Sequence, residues 1–129
     1  MSRPALAPDL RRFVVTNIPS VPYLEAVLLL RADPAREWTS QDMAGRLYIA
    51  TDEAQPLLDA AAQAHLALRS GDQPPRYRYS PGSPELAELV DRLAAHYASD
   101  VVTVATLIHG KTEKRAQQFA DAFRWRKDS

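Results

Sequence analysis

The sequence predicts a small, mainly α-helical protein with one β-hairpin near its centre. Three observations favour this class. Apolar residues recur at spacings of three and four along most of the chain, the period of an amphipathic helix. Between residues 66 and 79 the period changes to two, as in short strands. The 129 residues, 46% hydrophobic and 25% charged, fit a single globular domain.

The first two predicted helices are separated by a proline. Residues 1–19 comprise a Pro/Ala-rich tail and a short amphipathic helix, which Pro19 ends because the residue before a proline is displaced from the helical region. Ser20 is then suited to cap a second helix, with Pro22 tolerated in its first turn. Leucines and valines surround most of this second helix, which indicates a central place in the domain.

A minimal strand and two more helices are predicted next. Residues 37–39 are suited to the strand, and Thr39 and Asp42 have the spacing of a capping box for a helix over residues 40–47. After a short turn, Thr51 is expected to cap a further helix. This helix carries acidic residues in its first turn, where the helix dipole favours them.

The two strands are predicted at residues 66–69 and 76–79. On the second strand the two tyrosines share one face and the two arginines the other, because successive side chains alternate. Ser83 then caps a helix with Pro84 at its first position. An apolar stripe predicts that this helix continues without interruption to residue 109, and a last helix is expected after Gly110.

The order of helix, short strand, helix, turn, helix and hairpin predicts a winged helix-turn-helix over residues 20–81, a three-helix core with a β-hairpin wing. The turn and its flanks resemble the helix-turn-helix of MarR- and ArsR-like bacterial regulators. The residues that carry this resemblance are Leu47, Tyr48, Ile49, Thr51, Leu58, Ala61, His65 and Leu66. His65 stands where these regulators have a glycine before the wing, a position that usually requires a left-handed backbone.

Later segments resemble small winged-helix proteins that are common in bacterial genomes. These segments are Tyr77–Pro81, Ser83–Leu86 and Phe119–Arg124, so the resemblance spans roughly residues 20–127. It implies a transcriptional regulator that binds double-stranded DNA, with the third helix of the winged unit in the major groove. The candidate DNA contacts are Arg46, Gln55, Arg69, Arg76 and Arg78. Gln55 is suited to an adenine edge and the arginines to phosphates, although arginines also simply solvate an exposed strand.

The charge distribution favours an alternative role. Sixteen basic and sixteen acidic residues give a formal charge of zero, whereas DNA-binding domains are usually basic. Asp52, Glu53 and Asp59 make the third helix of the winged unit acidic, and Pro56 is expected to kink it. The alternative is therefore an adaptor that regulates a protein partner through this acidic helix.

Residues 82–129 form a C-terminal helical extension whose apolar stripe either packs back on the winged unit or pairs with a second copy. The resemblance to MarR-like regulators favours a homodimer. The candidate interface residues are Leu93, Tyr97, Val101, Val104, Ile108, Phe119, Phe123 and Trp125. The aromatic and basic run from Phe123 to Lys127 is alternatively a docking tail.

No catalytic, metal or cofactor site is expected. The chain has no cysteine, which excludes disulfides and thiol chemistry, and its three histidines lack metal-ligand spacing. Residues 105–112 fit a relaxed phosphate-loop pattern, but they follow a helical stripe rather than a buried strand. No apolar run approaches the ~20 residues that span a bilayer, so we expect a cytoplasmic protein that binds no membrane.

Overall fold

The computed structural model describes residues 6–110, and the order of its elements is the predicted one. The helices are α1 (Pro8–Asn17), α2 (Val21–Ala32), α3 (Ser40–Leu47), α4 (Thr51–Gln63), α5 (Pro84–Ser99) and α6 (Val101–Gly110), and the strands are β1 (Ala67–Ser70) and β2 (Arg76–Tyr79). The predicted mainly helical fold with one two-stranded hairpin is confirmed.

The hairpin is antiparallel and is extended by one residue of the preceding segment. β1 and β2 pair in the register that sets Ala67 opposite Tyr79 and Leu68 opposite Arg78. Trp38 adds a single bridge on the other edge of β2. Its N–H donates to the carbonyl of Tyr77 at 2.7 Å, and the N–H of Tyr77 donates back at 2.8 Å. The minimal strand predicted at residues 37–39 is therefore present as one bridge, which anchors the wing to the chain before α3.

Three of the predicted helix caps are confirmed. Ser20 Oγ accepts a hydrogen bond from the third residue of α2 at 3.2 Å, and Ser83 Oγ does the same for α5 at 3.1 Å. Thr39 and Asp42 form a reciprocal capping box with two bonds of 3.1 Å. The exception is Thr51, which is the first residue of α4 rather than its cap, because Ala50 occupies the N-cap position and provides no side-chain oxygen.

The long helix predicted over residues 84–109 is interrupted, so that prediction is wrong. Asp100 leaves the helical region with φ −151° and separates α5 from α6. Its carboxylate accepts hydrogen bonds from the backbone N–H of Thr103 at 3.2 Å and from the Thr103 hydroxyl at 2.5 Å. An aspartate at this position stabilises the start of a new helix. The apolar spacing continues across the break because both helices bury side chains in the same core.

The buried side chains form one core to which every described helix and both strands contribute. Trp38, Tyr23 and Tyr77 are the largest side chains in it. Arg92 on α5 also makes a bidentate ion pair with Asp9 on α1, at 2.7 and 2.9 Å. The N-terminal helix and the C-terminal helices therefore pack on the same interior as the winged unit.

No single helix within residues 6–110 has the length and apolar character needed to cross a bilayer. α1 and α2 taken together reach that length, but they turn by 111° at the break between them, and both contribute buried side chains to the core.

Candidate nucleic-acid interface

The helix-turn-helix is formed by α3, a left-handed turn and α4. Met43 and Ala44 of α3 and Ala54 and Leu58 of α4 are all buried, so the two helices share one apolar contact. Tyr48 follows α3 with φ 58° and ψ 43°, the left-handed conformation that ends many helices. The chain can then enter α4 at an angle to α3, which leaves the N-terminus of α4 on the surface.

The outer face of α4 is acidic and contains the proline predicted to kink it. Asp52, Glu53 and Pro56 are exposed. The helix nevertheless runs without interruption from Thr51 to Gln63. Pro56 lacks the N–H that would otherwise bond the carbonyl of Asp52. Because that carbonyl lies in the exposed first turn, water can satisfy it, and the helix continues.

Gln55, predicted to contact a base, is instead hydrogen-bonded within the protein. Its Nε2 donates to the phenol oxygen of Tyr77 at 2.7 Å and to a carboxylate oxygen of Asp59 at 3.2 Å. The Tyr77 hydroxyl in turn donates to Asp59. The physical reason is burial, because the phenol of the fully buried Tyr77 needs hydrogen-bond partners and the facing side of α4 supplies them. A base contact by Gln55 stays a prediction, and it would require the amide to exchange these internal bonds for a base edge.

This cluster of Gln55, Asp59 and Tyr77 shifts the titration of two of its members. The hydrogen bond from Tyr77 lowers the pKa of Asp59, since it favours the ionised carboxylate. Burial raises the pKa of the Tyr77 phenol, and the neighbouring Asp59 carboxylate raises it further. Both shifts favour an ionised Asp59 beside a neutral phenol, the state in which the bond joins the wing to α4.

The strand register separates the wing arginines onto two faces. Arg69 lies opposite Tyr77, on the side of the hairpin that faces α4, and its guanidinium is 3.7 Å from Asp59 and 3.6 Å from Asp72. Arg76 and Arg78 lie on the other side, as predicted for β2. Arg69 is therefore not part of the same surface as the other two, because its neighbour across the ladder is the buried tyrosine.

Arg78 differs from the other two wing arginines in having no carboxylate neighbour among the described residues. Arg76 is 3.5 Å from Glu37, whereas Arg78 is exposed and makes no ion pair with any residue in the range 6–110. Its partner across the ladder, Leu68, is 52% exposed. The outer face of the wing thus combines one unpaired cation with an exposed apolar side chain.

Arg46, the remaining DNA-contact candidate, lies away from the wing. It is exposed at the end of α3 and lines a cavity of about 330 Å³ between α2, α3 and α5. The other lining residues are Glu25, Leu28, Leu29, Leu47 and Tyr97. The side chain of Arg46 therefore borders the helical body of the protein.

The candidate dimer residues divide into buried and exposed ones. Leu93, Val104 and Ile108 are at most 2% exposed and pack inside the single chain, so their placement at an interface is corrected. Tyr97 is half-buried and its hydroxyl donates to Glu25 at 3.3 Å. Val101 is exposed beside the exposed Val102. The other three candidates, Phe119, Phe123 and Trp125, lie outside the described residues.

Sequence reasoning overlooked Tyr48 and Leu68 as surface features. Leu68 lies in the alternating first strand and Tyr48 in the turn between α3 and α4, and both side chains are exposed. Within residues 6–110, no group of three or more histidine or acidic side chains could hold a metal ion.

Comparison with known proteins supports the fold. No protein-family model matches the sequence, and no curated protein is significantly similar to it. A MarR family protein from Bacillus stearothermophilus is similar in structure, with a TM-score of 0.50 and 15% identity over 94% of this chain and 84% of that one. A possible transcriptional regulator from Methanosarcina mazei Go1 has a TM-score of 0.50 and 11% identity over 72% of this chain and 80% of that one. The chain has a MarR-like winged-helix fold.

Proposed function

We propose that the protein is a transcriptional regulator that binds double-stranded DNA through its winged helix-turn-helix. The observation that carries the proposal is Arg78, which is exposed on the outer face of the wing and makes no ion pair with any residue from 6 to 110. It lies on the same hairpin that is bonded to α4. The likeness to a MarR family protein and to a possible transcriptional regulator supports a regulatory role over a catalytic one.

Binding of this kind should depend only moderately on salt. Arg69 and Arg76 already face carboxylates, so among the three wing arginines Arg78 alone has no ion pair with residues 6–110 and is available to displace counterions of DNA. Roughly one to three phosphate contacts correspond to a slope of about −1 to −3 in log K against log salt concentration. A typical basic regulator would give a steeper slope.

We also propose that the regulator is a homodimer that uses the exposed valines of α6. Val101 is 49% and Val102 68% exposed, which leaves apolar surface on a helix outside the winged unit. A dimer would set two wings at two half-sites of one duplex. Light scattering at high micromolar concentration should give about twice the chain mass of 14.4 kDa. A mass that stays at 14.4 kDa would exclude the dimer.

The decisive experiment for DNA binding uses duplexes enriched by the protein from a randomised library. Fluorescence anisotropy at low and moderate salt measures the affinity, and Arg78→Glu should weaken binding at least tenfold. Arg12→Glu is the matched control, because it makes the same charge change at an exposed position of α1. Failure of the library to enrich, or equal losses for both variants, would contradict the proposal. Binding that ignores salt would also contradict it.

A further inference from the structure

Tyr48 is the most exposed large hydrophobic side chain that the structure describes. It is 94% exposed, whereas the next most exposed, Val102, is 68%. Its backbone has φ 58°, a conformation that glycine and asparagine adopt readily and bulky residues rarely do. An aromatic residue at this turn therefore carries backbone strain while its ring packs against almost nothing.

Folding alone does not account for this side chain. The phenol of Tyr48 forms no hydrogen bond with any residue from 6 to 110, and it is absent from the core. A strained residue that contributes little packing is most often found where a ligand or partner is contacted. The turn thus presents an exposed aromatic hydroxyl to whatever approaches the start of α4.

The position of Tyr48 relative to α4 indicates which partner it meets. It precedes the first residue of α4 by three positions. In winged helix-turn-helix proteins the N-terminal residues of this helix contact base edges, so the turn before it lies beside the sugar-phosphate backbone that borders the groove. Tyrosine hydroxyls are among the groups that bind DNA phosphates.

The surrounding charges favour a neutral donor here. Asp52 and Glu53 are exposed in the first turn of α4, and an arginine beside them would be drawn to their carboxylates, as Arg69 is to Asp59 at 3.7 Å. A phenol hydroxyl has no charge to be neutralised and can donate to a phosphate oxygen. The side chain of Tyr48 thus offers a phosphate contact on an otherwise acidic edge.

We propose that Tyr48 binds the phosphodiester backbone of duplex DNA through its phenol hydroxyl, beside the groove that α4 enters. This inference rests on the proposed function and adds a contact residue to it. The contact fixes the position of the helix along the duplex without reading sequence, because phosphates are the same at every base pair.

Three variants test the contact on the enriched duplexes. Tyr48→Phe removes only the hydroxyl and should weaken binding about three- to tenfold, by a similar factor on duplexes of different sequence. Tyr48→Gly should weaken binding at least as much while its melting temperature stays equal or rises, because glycine relieves the left-handed strain. His65→Gly is the matched control. It relieves strain at the other left-handed non-glycine residue, φ 61°, and should bind DNA as the wild type does.

A chemical footprint provides an independent readout. N-acetylimidazole transfers its acetyl group to accessible phenol oxygens and releases imidazole. The other four tyrosines are buried or half-buried, so Tyr48 should react first, and bound duplex should protect it, as mass spectrometry of peptides would show. Acetylation should lower the affinity of the wild type for duplex DNA. The same treatment of Tyr48→Phe should leave its affinity equal to that of the untreated variant.

The outcomes separate this contact from the proposed function. Two outcomes would show that the Tyr48 contact is wrong: Tyr48→Phe and Tyr48→Gly bind as the wild type does, or bound duplex leaves Tyr48 fully reactive. If Arg78→Glu still abolishes binding in either case, the regulator proposal stands. If the wild type itself binds no duplex, both proposals are wrong. Weaker binding by Tyr48→Phe with normal binding by His65→Gly supports the contact.

Discussion

The phenol of Tyr77 on β2 donates a hydrogen bond to the carboxylate of Asp59 on α4, and the amide of Gln55 bonds to both. The bond joins the wing to the helix expected to enter the DNA groove. Since Tyr77 is fully buried, the wing cannot swing relative to α4 without leaving a polar group unpaired in the interior. These hydrogen bonds therefore fix how the wing lies against α4.

Tyr77→Phe should test this bridge, because it keeps the ring and removes the hydroxyl. We expect the free energy of unfolding to fall by about 1–2 kcal/mol and the pKa of Asp59 to rise toward its ordinary value. Because the pKa of Asp59 is lower in the folded protein, its carboxylate stabilises the fold at pH values above its ordinary pKa of 3.8. This stabilisation is lost as the pH falls through the folded-state pKa. The variant should therefore lose less stability on acidification, measured by urea unfolding at several pH values.

Tyr23→Phe is the matched control for this change. Tyr23 is also buried, and none of the residues from 6 to 110 forms a hydrogen bond with its hydroxyl. Its substitution should alter stability by less than about 0.5 kcal/mol. Equal losses for the two variants would show that the Tyr77 bridge contributes nothing specific.

Gly82 should be intolerant of a side chain. Its N–H donates to the carbonyl of His65 at 2.8 Å, and a Cβ at position 82 would come within 3.0 Å of the His65 Cβ. We expect Gly82→Ala to destabilise the protein by about 1–2 kcal/mol, because the end of α4 and the turn after β2 must separate. The loss should shrink when His65 is also replaced by glycine, which a double-mutant cycle in urea measures.

Gly45→Ala in α3 should have the opposite effect on stability to Gly82→Ala. Gly45 lies inside α3, and a Cβ there would meet nothing within 4 Å. Alanine should therefore stabilise the helix by about 0.5–1 kcal/mol. Destabilisation of both variants to the same extent would argue against close packing at Gly82 as the cause.

The ion pair between Asp9 and Arg92 should make the attachment of α1 sensitive to acid. The hydrogen bond from Arg92 lowers the pKa of Asp9 from 3.8 to about 2. Its contribution is complete above pH 3.8 and is lost as the pH falls toward 2, so the melting temperature should drop over that range. Asp9→Asn should flatten this drop and change little at pH 7, because the pair is exposed.

Asp33→Asn is the control for the acid series. The Asp33 side chain forms no ion pair with any residue in the range 6–110, and its removal should leave the slope of melting temperature against pH unchanged. An identical acid response of the wild type and Asp9→Asn would contradict the role assigned to the pair.

Much of the fold was predictable from short-range chemistry. Ser20, Thr39 and Ser83 cap their helices as their sequence contexts predict, because capping depends on a few neighbouring residues. The left-handed backbone at His65 was also expected, from its place in a resembling motif. The alternation of β2 correctly separated the tyrosines from the arginines, since a strand reverses its side chains at every step.

The tertiary structure decided which polar side chains remain free. Gln55 and Arg69 have suitable chemistry for DNA, yet Gln55 bonds to the buried Tyr77 and Arg69 faces the carboxylate of Asp59. These contacts depend on how β2 packs against α4, and Gln55 and Tyr77 are 22 residues apart in the sequence. No local sequence pattern therefore predicts them. The sequence by itself determined where most helices and strands form, through capping and apolar period. Only the structure showed that Asp100 divides a continuous stripe and that Tyr48 faces outward, because the apolar spacing is the same on both sides of the break and does not report the direction of a turn side chain.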